Sequence, residues 1–105
     1  MYRVTTVIDR YTLPVDTSNY QVIRVTYSQP PNVKIIKTYQ HGELSDGMQL
    51  DGRKVIITLT QEETKKFKSG YALSQVRALT NDGKAKTSKT FRLPIDSVLD
   101  DVVMV

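Results

Sequence analysis

The chain has no cysteine and a single histidine among its 105 residues. Disulfides, thiolate metal sites and a cysteine nucleophile are therefore excluded, and cross-linking cannot substitute for a core. An absence of disulfides suits a protein that folds and assembles inside a cell. No apolar run approaches the roughly 20 residues needed to cross a bilayer as a helix. The N-terminus, Met1-Tyr2-Arg3-Val4-Thr5-Thr6, lacks the basic segment and apolar stretch of a signal peptide. These features lead to the expectation of a soluble chain that stays in the compartment where it is made, with no membrane partner. Internal repeats and low-complexity segments are also missing.

What is present fits one domain spanning residues 1–105. That length buries about two-thirds of the unfolded surface, enough for one modest core. Hydrophobic residues make up 39% and charged residues 25%, ordinary for a globular domain. The net charge of +4, from 15 basic and 11 acidic residues, is a mild excess spread along the sequence. A specific nucleic-acid binder usually concentrates its charge on one face.

Strand signals dominate. Tyr2–Asp9 is rich in Thr, Val and Ile. Tyr20–Gln29 alternates, with Ile23, Val25 and Tyr27 on one face, and Pro30-Pro31 ends it. Val33–Tyr39 resumes as a strand, while His41–Arg53 reads as irregular. Leu50 is placed to end a short strand before the Asp51-Gly52 turn, and Val55, Ile57 and Leu59 share a face in the next one. Tyr71–Leu79 and Ala85–Leu93 form a hairpin about Asn81-Asp82-Gly83-Lys84, and Pro94 is expected to interrupt the second of these strands.

Between these strands, Thr60-Gln61-Glu62-Glu63 has the pattern of a capping box. The Thr60 hydroxyl can accept from the Glu63 amide, and the Glu63 carboxylate from the Thr60 amide. The spacing predicts one short helix over Gln61–Lys68, with Phe67 turned to the core and Gly70 closing it in the left-handed conformation. Many short strands and one helix give an all-β fold, an antiparallel β-sandwich with one short connecting helix.

No constellation for catalysis emerges. His41 lies near Glu43, Asp46 and Asp51, but no Ser in a nucleophile-elbow context accompanies it, and these donors match no known metal-ligand spacing. Asp46-Gly47 and Asp51-Gly52 lack the alternating acids and terminal Glu of a calcium loop. Glu62 and Glu63 are accounted for as helix-capping acids. No glycine-rich phosphate loop follows a strand. The expectation is a non-enzyme with no cofactor and no metal.

Two surface features stand out. Lys65, Lys66 and Lys68 at the helix end, with Lys84, Lys86, Lys89 and Arg92 on the last hairpin, could bind single-stranded nucleic acid by charge and stacking. Edge lysines equally guard sheets against aggregation. The C-terminal tail is unusually apolar: Val98, Leu99, Val102, Val103, Met104 and Val105. It reads either as a last strand completing the core or as an interface segment that docks on a neighbour.

From Val55 onward the order of features resembles a family. Ile57-Thr58-Leu59-Thr60-Gln61-Glu62-Glu63-Thr64 leads to Phe67 and Gly70. Gln75-Val76-Arg77, the Asp82-Gly83 turn, Thr87-Ser88 and Val98-Leu99-Asp100-Asp101-Val102-Val103 follow. The arrangement resembles small β-sandwich proteins of phages and prophages of Gram-positive bacteria and is more distantly similar to the N-terminal domain of phage baseplate upper proteins. The resemblance implies an immunoglobulin-like sandwich and a virion structural or assembly component that contacts other virion proteins or itself. It also implies a location in the host cytoplasm during assembly and then in the virion. It supplies no catalytic residues.

Overall fold

The structure is a computed structural model that describes residues 1–104. It holds nine strands: β1 Val7–Thr12, β2 Tyr20–Gln29, β3 Val33–Gln40, β4 Glu43–Leu44, β5 Met48–Asp51, β6 Lys54–Leu59, β7 Gly70–Thr80, β8 Ala85–Thr87 and β9 Phe91–Ile95. A single 3-10 turn, Thr17–Asn19, and one helix, α1 Gln61–Lys65, connect them. All strand pairings are antiparallel.

Two sheets pack face to face. One is three-stranded in the order β1-β6-β5, and the other is six-stranded in the order β4-β3-β2-β7-β8, with β9 also pairing with β7. The inward faces follow the period of two expected of half-buried strands. Val55, Ile57 and Leu59 of β6 meet Ile23, Val25 and Tyr27 of β2, and all six are fully buried. Such side chains contribute roughly 1.5–3 kcal/mol each on burial. In chain order this is an immunoglobulin-like sandwich of the variable type: β1, β6 and β5 take the B, E and D places, and β4, β3, β2, β7 and the split β8/β9 take C″, C′, C, F and G. Among the described residues nothing fills the A place beside β1.

The sequence reading needs four corrections. The first strand begins at Val7 and runs to Thr12, not from Tyr2 to Asp9. Val4 sits at φ 55, in the left-handed region, and cannot continue a strand. Thr5 is instead fastened to the helix, its amide donating to Thr64 Oγ1 at 2.9 Å and its carbonyl accepting from the same hydroxyl at 2.8 Å. Residues before it cross to the other sheet, where Tyr2 makes a single parallel bridge with Asp96.

Second, the helix stops at Lys65, and Gly70 opens β7 instead of closing the helix. The side chain of Gln29 takes over the intervening backbone, accepting from the Lys68 amide at 2.6 Å and donating to its carbonyl at 2.7 Å. Phe67 is fully buried, as the sequence indicated.

Third, the irregular stretch His41–Arg53 contains β4 and β5. His41 and Gly42 both adopt positive φ, 49° and 87°, which makes the two-residue turn whose twist suits a hairpin. Fourth, Pro94 lies inside β9, opposite Tyr71, and does not cut the strand. β9 is an edge strand, where a missing N–H is tolerated. The break falls instead between β8 and β9, where the Ser88 hydroxyl accepts from the Val76 amide at 3.0 Å in place of a backbone carbonyl.

Candidate docking groove

The six-stranded sheet is wider than the three-stranded one, so the sandwich does not close along one side. The seam lies between the outer edge of β1 and the β8/β9 edge of the larger sheet, and it opens into a groove of about 1070 Å³. Tyr11 and Leu13 wall one side, Phe91 and Leu93 the other, and Val76 and Ala78 of β7 form the floor. The Tyr11 and Phe91 rings tilt against each other at 5.7 Å between centroids. Lining this side of the molecule with apolar residues follows from strand alternation: these are the inward positions of β1, β7 and β9.

A polar network anchors the base of the groove. The Tyr27 hydroxyl donates to Asp9 Oδ2 at 3.0 Å, and the Tyr11 hydroxyl reaches Tyr27 at 3.3 Å and Ser74 Oγ at 3.0 Å. Burial pushes the Tyr27 phenol far above its ordinary range, and Tyr11 is raised for the same first reason. Both hydroxyls thus stay neutral donors in the folded chain. The network links the two sheets and satisfies every polar atom placed there, so it rigidifies the groove floor.

The rim is basic. Arg10, Lys84, Lys86 and Arg92 surround the opening, against two acids, Asp9 and Asp82. Asp9 is engaged by Tyr27, and Asp82 lies 3.8 Å from Lys84. The Arg92 guanidinium stacks 3.8 Å from the Tyr71 ring. Beside the groove, β1 presents an outer edge with no strand partner among the described residues, and Ile8 on it is 52% exposed. An unpaired edge next to an exposed apolar surface is the usual preparation for strand addition.

The residues singled out in the sequence fall into three places. Lys84, Lys86 and Arg92 border the groove, and Lys89 sits 5.6 Å over the Phe91 ring. Lys65, Lys66 and Lys68 are exposed at the helix end, next to Gly70. β7 runs from Gly70 to Thr80, so Lys84 and Lys86 lie roughly 25–35 Å along the strand from the helix lysines, whereas Arg92, opposite Leu73 and stacked on Tyr71, lies near the Gly70 end. Lys84 and Lys86 therefore share no patch with the helix lysines.

The apolar tail forms no strand and completes no core. Val98 and Val103 are half-buried, whereas Leu99, Val102 and Met104 are exposed, the last two at 66% and 76%. Val105 lies outside the described residues. The tail's backbone is held by Gln61, whose side-chain amide accepts from the Met104 N–H and donates to the Met104 carbonyl, both at 2.9 Å. His41 is an exposed turn residue, and no group of three or more His, Asp or Glu side chains among the described residues is close enough to hold a metal. No helix of the structure is long and apolar enough to cross a membrane.

The groove itself is not visible in the sequence. Tyr11, Leu13, Phe91 and Leu93 read as ordinary inward strand positions, and only counting strands on each sheet reveals that the seam between them is open. No protein-family model matches the sequence, and no match was found among curated proteins.

Proposed function

We propose that this chain is a non-enzymatic structural or assembly component of a phage or prophage particle that works through protein–protein contacts. The observation that carries the contact reading is the open seam: an apolar groove between β1 and β8/β9, flanked by an unpaired strand edge and a basic rim. An exposed apolar surface of this kind in a small β domain is a docking site or an aggregation liability. The capping box, Asp82-Gly83 turn and apolar tail that give the sequence its phage-like order support the origin. In this reading the chain accumulates in the host cytoplasm and is built into the virion, with itself or other virion proteins as partners.

Sedimentation velocity of the purified chain, alone and mixed with the products of flanking genes, tests the reading. The expected result is a concentration-dependent oligomer or a defined complex. A strict monomer through the micromolar range that also forms no complex with those products would refute it. The same preparation, passed over heparin and single-stranded DNA, distinguishes the lysine-based alternative, for which retention at low salt should fall steeply as salt is raised. The distance of Lys84 and Lys86 from the helix lysines argues against that alternative.

A further inference from the structure

We propose that the groove is filled by the C-terminal segment Val98–Met104 of a second copy of this chain, added as a strand along the free edge of β1. This rests on the contact reading above and names its partner. Four observations lead to it.

The first is fit. The free edge is the six-residue strand β1, roughly 20 Å long, and a seven-residue extended segment spans roughly 23 Å. The second is chemistry. Val102, Val103 and Met104 form an uninterrupted apolar run that the monomer leaves largely in water, and the seam offers Tyr11, Leu13, Val76, Phe91 and Leu93. In an extended strand Val102 and Met104 project to the same side, which suits a groove that takes alternate side chains.

The third is charge. The segment brings Asp100 and Asp101, and the rim presents four cations, Arg10, Lys84, Lys86 and Arg92, against two acids, Asp9 bonded to Tyr27 and Asp82 at 3.8 Å from Lys84, which leaves the rim with an excess of positive charge. The acids therefore meet cations at the groove mouth while the apolar run enters. The fourth is direction. The tail departs after Ile95, which pairs with Gly70 at the start of β7, and its far end is parked on Gln61 at the helix. The groove runs from the level of Leu93, opposite Ala72, along β7 to Thr80, so most of it lies toward the opposite end of β7. A tail that leaves one end and a groove that opens toward the other point to a neighbouring copy.

The Gln61 clamp gives the monomer a resting place for the tail. Two exposed hydrogen bonds are all that hold Met104 there among the described residues. Releasing the segment for a neighbour gives up these two bonds and the partial burial of Val98 and Val103.

Sedimentation velocity on the full chain and five variants tests the proposal. Val102→Asp with Met104→Asp should abolish self-association. Asp100→Lys with Asp101→Lys should weaken it about tenfold, from two rim pairs worth about threefold each. Lys84→Glu with Lys86→Glu should weaken it similarly, and combining the two charge reversals should restore it to within about threefold. Gln61→Ala, which frees the tail, should strengthen it. All these positions lie outside the core, so circular dichroism should show an unchanged fold. As a second readout, a synthetic peptide of residues 98–105 added to isotope-labelled chain should shift the amides of β1, β8 and β9.

Self-association that survives the tail variants overturns the proposal but leaves the contact reading standing. A monomer whose own β1 amides move when Val102 and Met104 are changed also overturns it, since the tail would then fill its own groove. If the wild-type chain never associates and the peptide moves no amide of the seam, the proposal falls and self-association falls with it.

Discussion

Lys37 gives the sharpest quantitative test of how this sandwich is held together. It lies in the middle of β3 on an inward position, only 7% exposed, where the alternation would place an apolar residue. Its ammonium is 2.7 Å from Glu63 Oε2 and donates to the Asp46 carbonyl at 2.9 Å. The pair therefore ties the larger sheet to the helix cap and to the β4–β5 loop. Glu63 has a second duty, accepting from the Thr60 amide at 3.0 Å in the capping box.

Removing one partner of such a pair is not symmetrical. Glu63→Ala strips the buried ammonium of its counter-charge and also removes half of the capping box. A cap hydrogen bond is worth about 1 kcal/mol, and an uncompensated buried charge about 3–5 kcal/mol. The Asp46 carbonyl offsets part of the second figure, so the net loss should be about 3 kcal/mol. Lys37→Met replaces the charge with an apolar chain of similar length. Glu63 is left partly solvated and still bonded to Thr60, so this variant should lose less than about 1 kcal/mol. Urea unfolding monitored by circular dichroism measures both.

Partial burial would raise the Glu63 carboxyl, but its hydrogen bond from Lys37, the Thr60 amide and the Lys37 charge together hold it below the ordinary carboxylate range. A lowered folded-state pKa stabilises the fold above the unfolded pKa, and the stabilisation is lost as pH falls through the folded value. The wild type should therefore lose stability on acidification below about pH 4, and Lys37→Met should show a shallower loss. If Lys37→Met destabilises as much as Glu63→Ala, the ammonium is not what Glu63 compensates and the reasoning fails.

Three further outcomes follow from the same geometry. Gly47 has φ 80, and a Cβ there would run into the Thr58 carbonyl oxygen, so Gly47→Ala should cost at least about 2 kcal/mol in urea unfolding. Phe67→Ala should cost about 3–5 kcal/mol, because the ring is fully buried beneath the short helix and the site is stitched on both sides by Arg3 and Gln29. Tyr27→Phe should cost about 1–2 kcal/mol and should flatten the alkaline limb of stability. The raised phenol of Tyr27 stabilises the fold below the unfolded value, and that contribution is lost as pH climbs from about 10 toward the folded one. An alkaline limb identical to wild type would count against this role.

The parts of the fold that were legible in the sequence are those fixed by local chemistry. Tyr20–Gln29 and Lys54–Leu59 are strands because their apolar residues alternate, and the Thr60–Glu63 capping box forms as its spacing requires. The parts that were missed are decided by distant partners. Gln29 reaches across to the Lys68 backbone and ends the helix early, and Thr64 captures Thr5 and delays the first strand. Lys37 looks like a surface lysine until Glu63, 26 positions later in the chain, is brought beside it. Pattern reading cannot assign such pairs, because the contacts that overrule propensity depend on which strands neighbour each other. The groove was hidden for the same reason, whereas the tail's anomaly was visible because an apolar run without a turn or a partner strand is anomalous on its own.

The tail and the groove differ in kind as well as in place, and this constrains the assembly they would build. In a two-fold dimer the contacts are reciprocal, residue i of one copy meeting j of the other and j meeting i. Here the proposed donor is the segment after β9, and the acceptor is the seam beside β1. Two copies can exchange tails reciprocally and close as a two-fold dimer, or pass them head to tail, which leaves a free groove on one end copy and a free tail on the other. The head-to-tail arrangement runs past two copies until its rotation closes a ring. The added strand would cover β1, an exposed edge that otherwise invites unspecific pairing. The event that would link two copies would thus also cover an aggregation-prone edge on each acceptor.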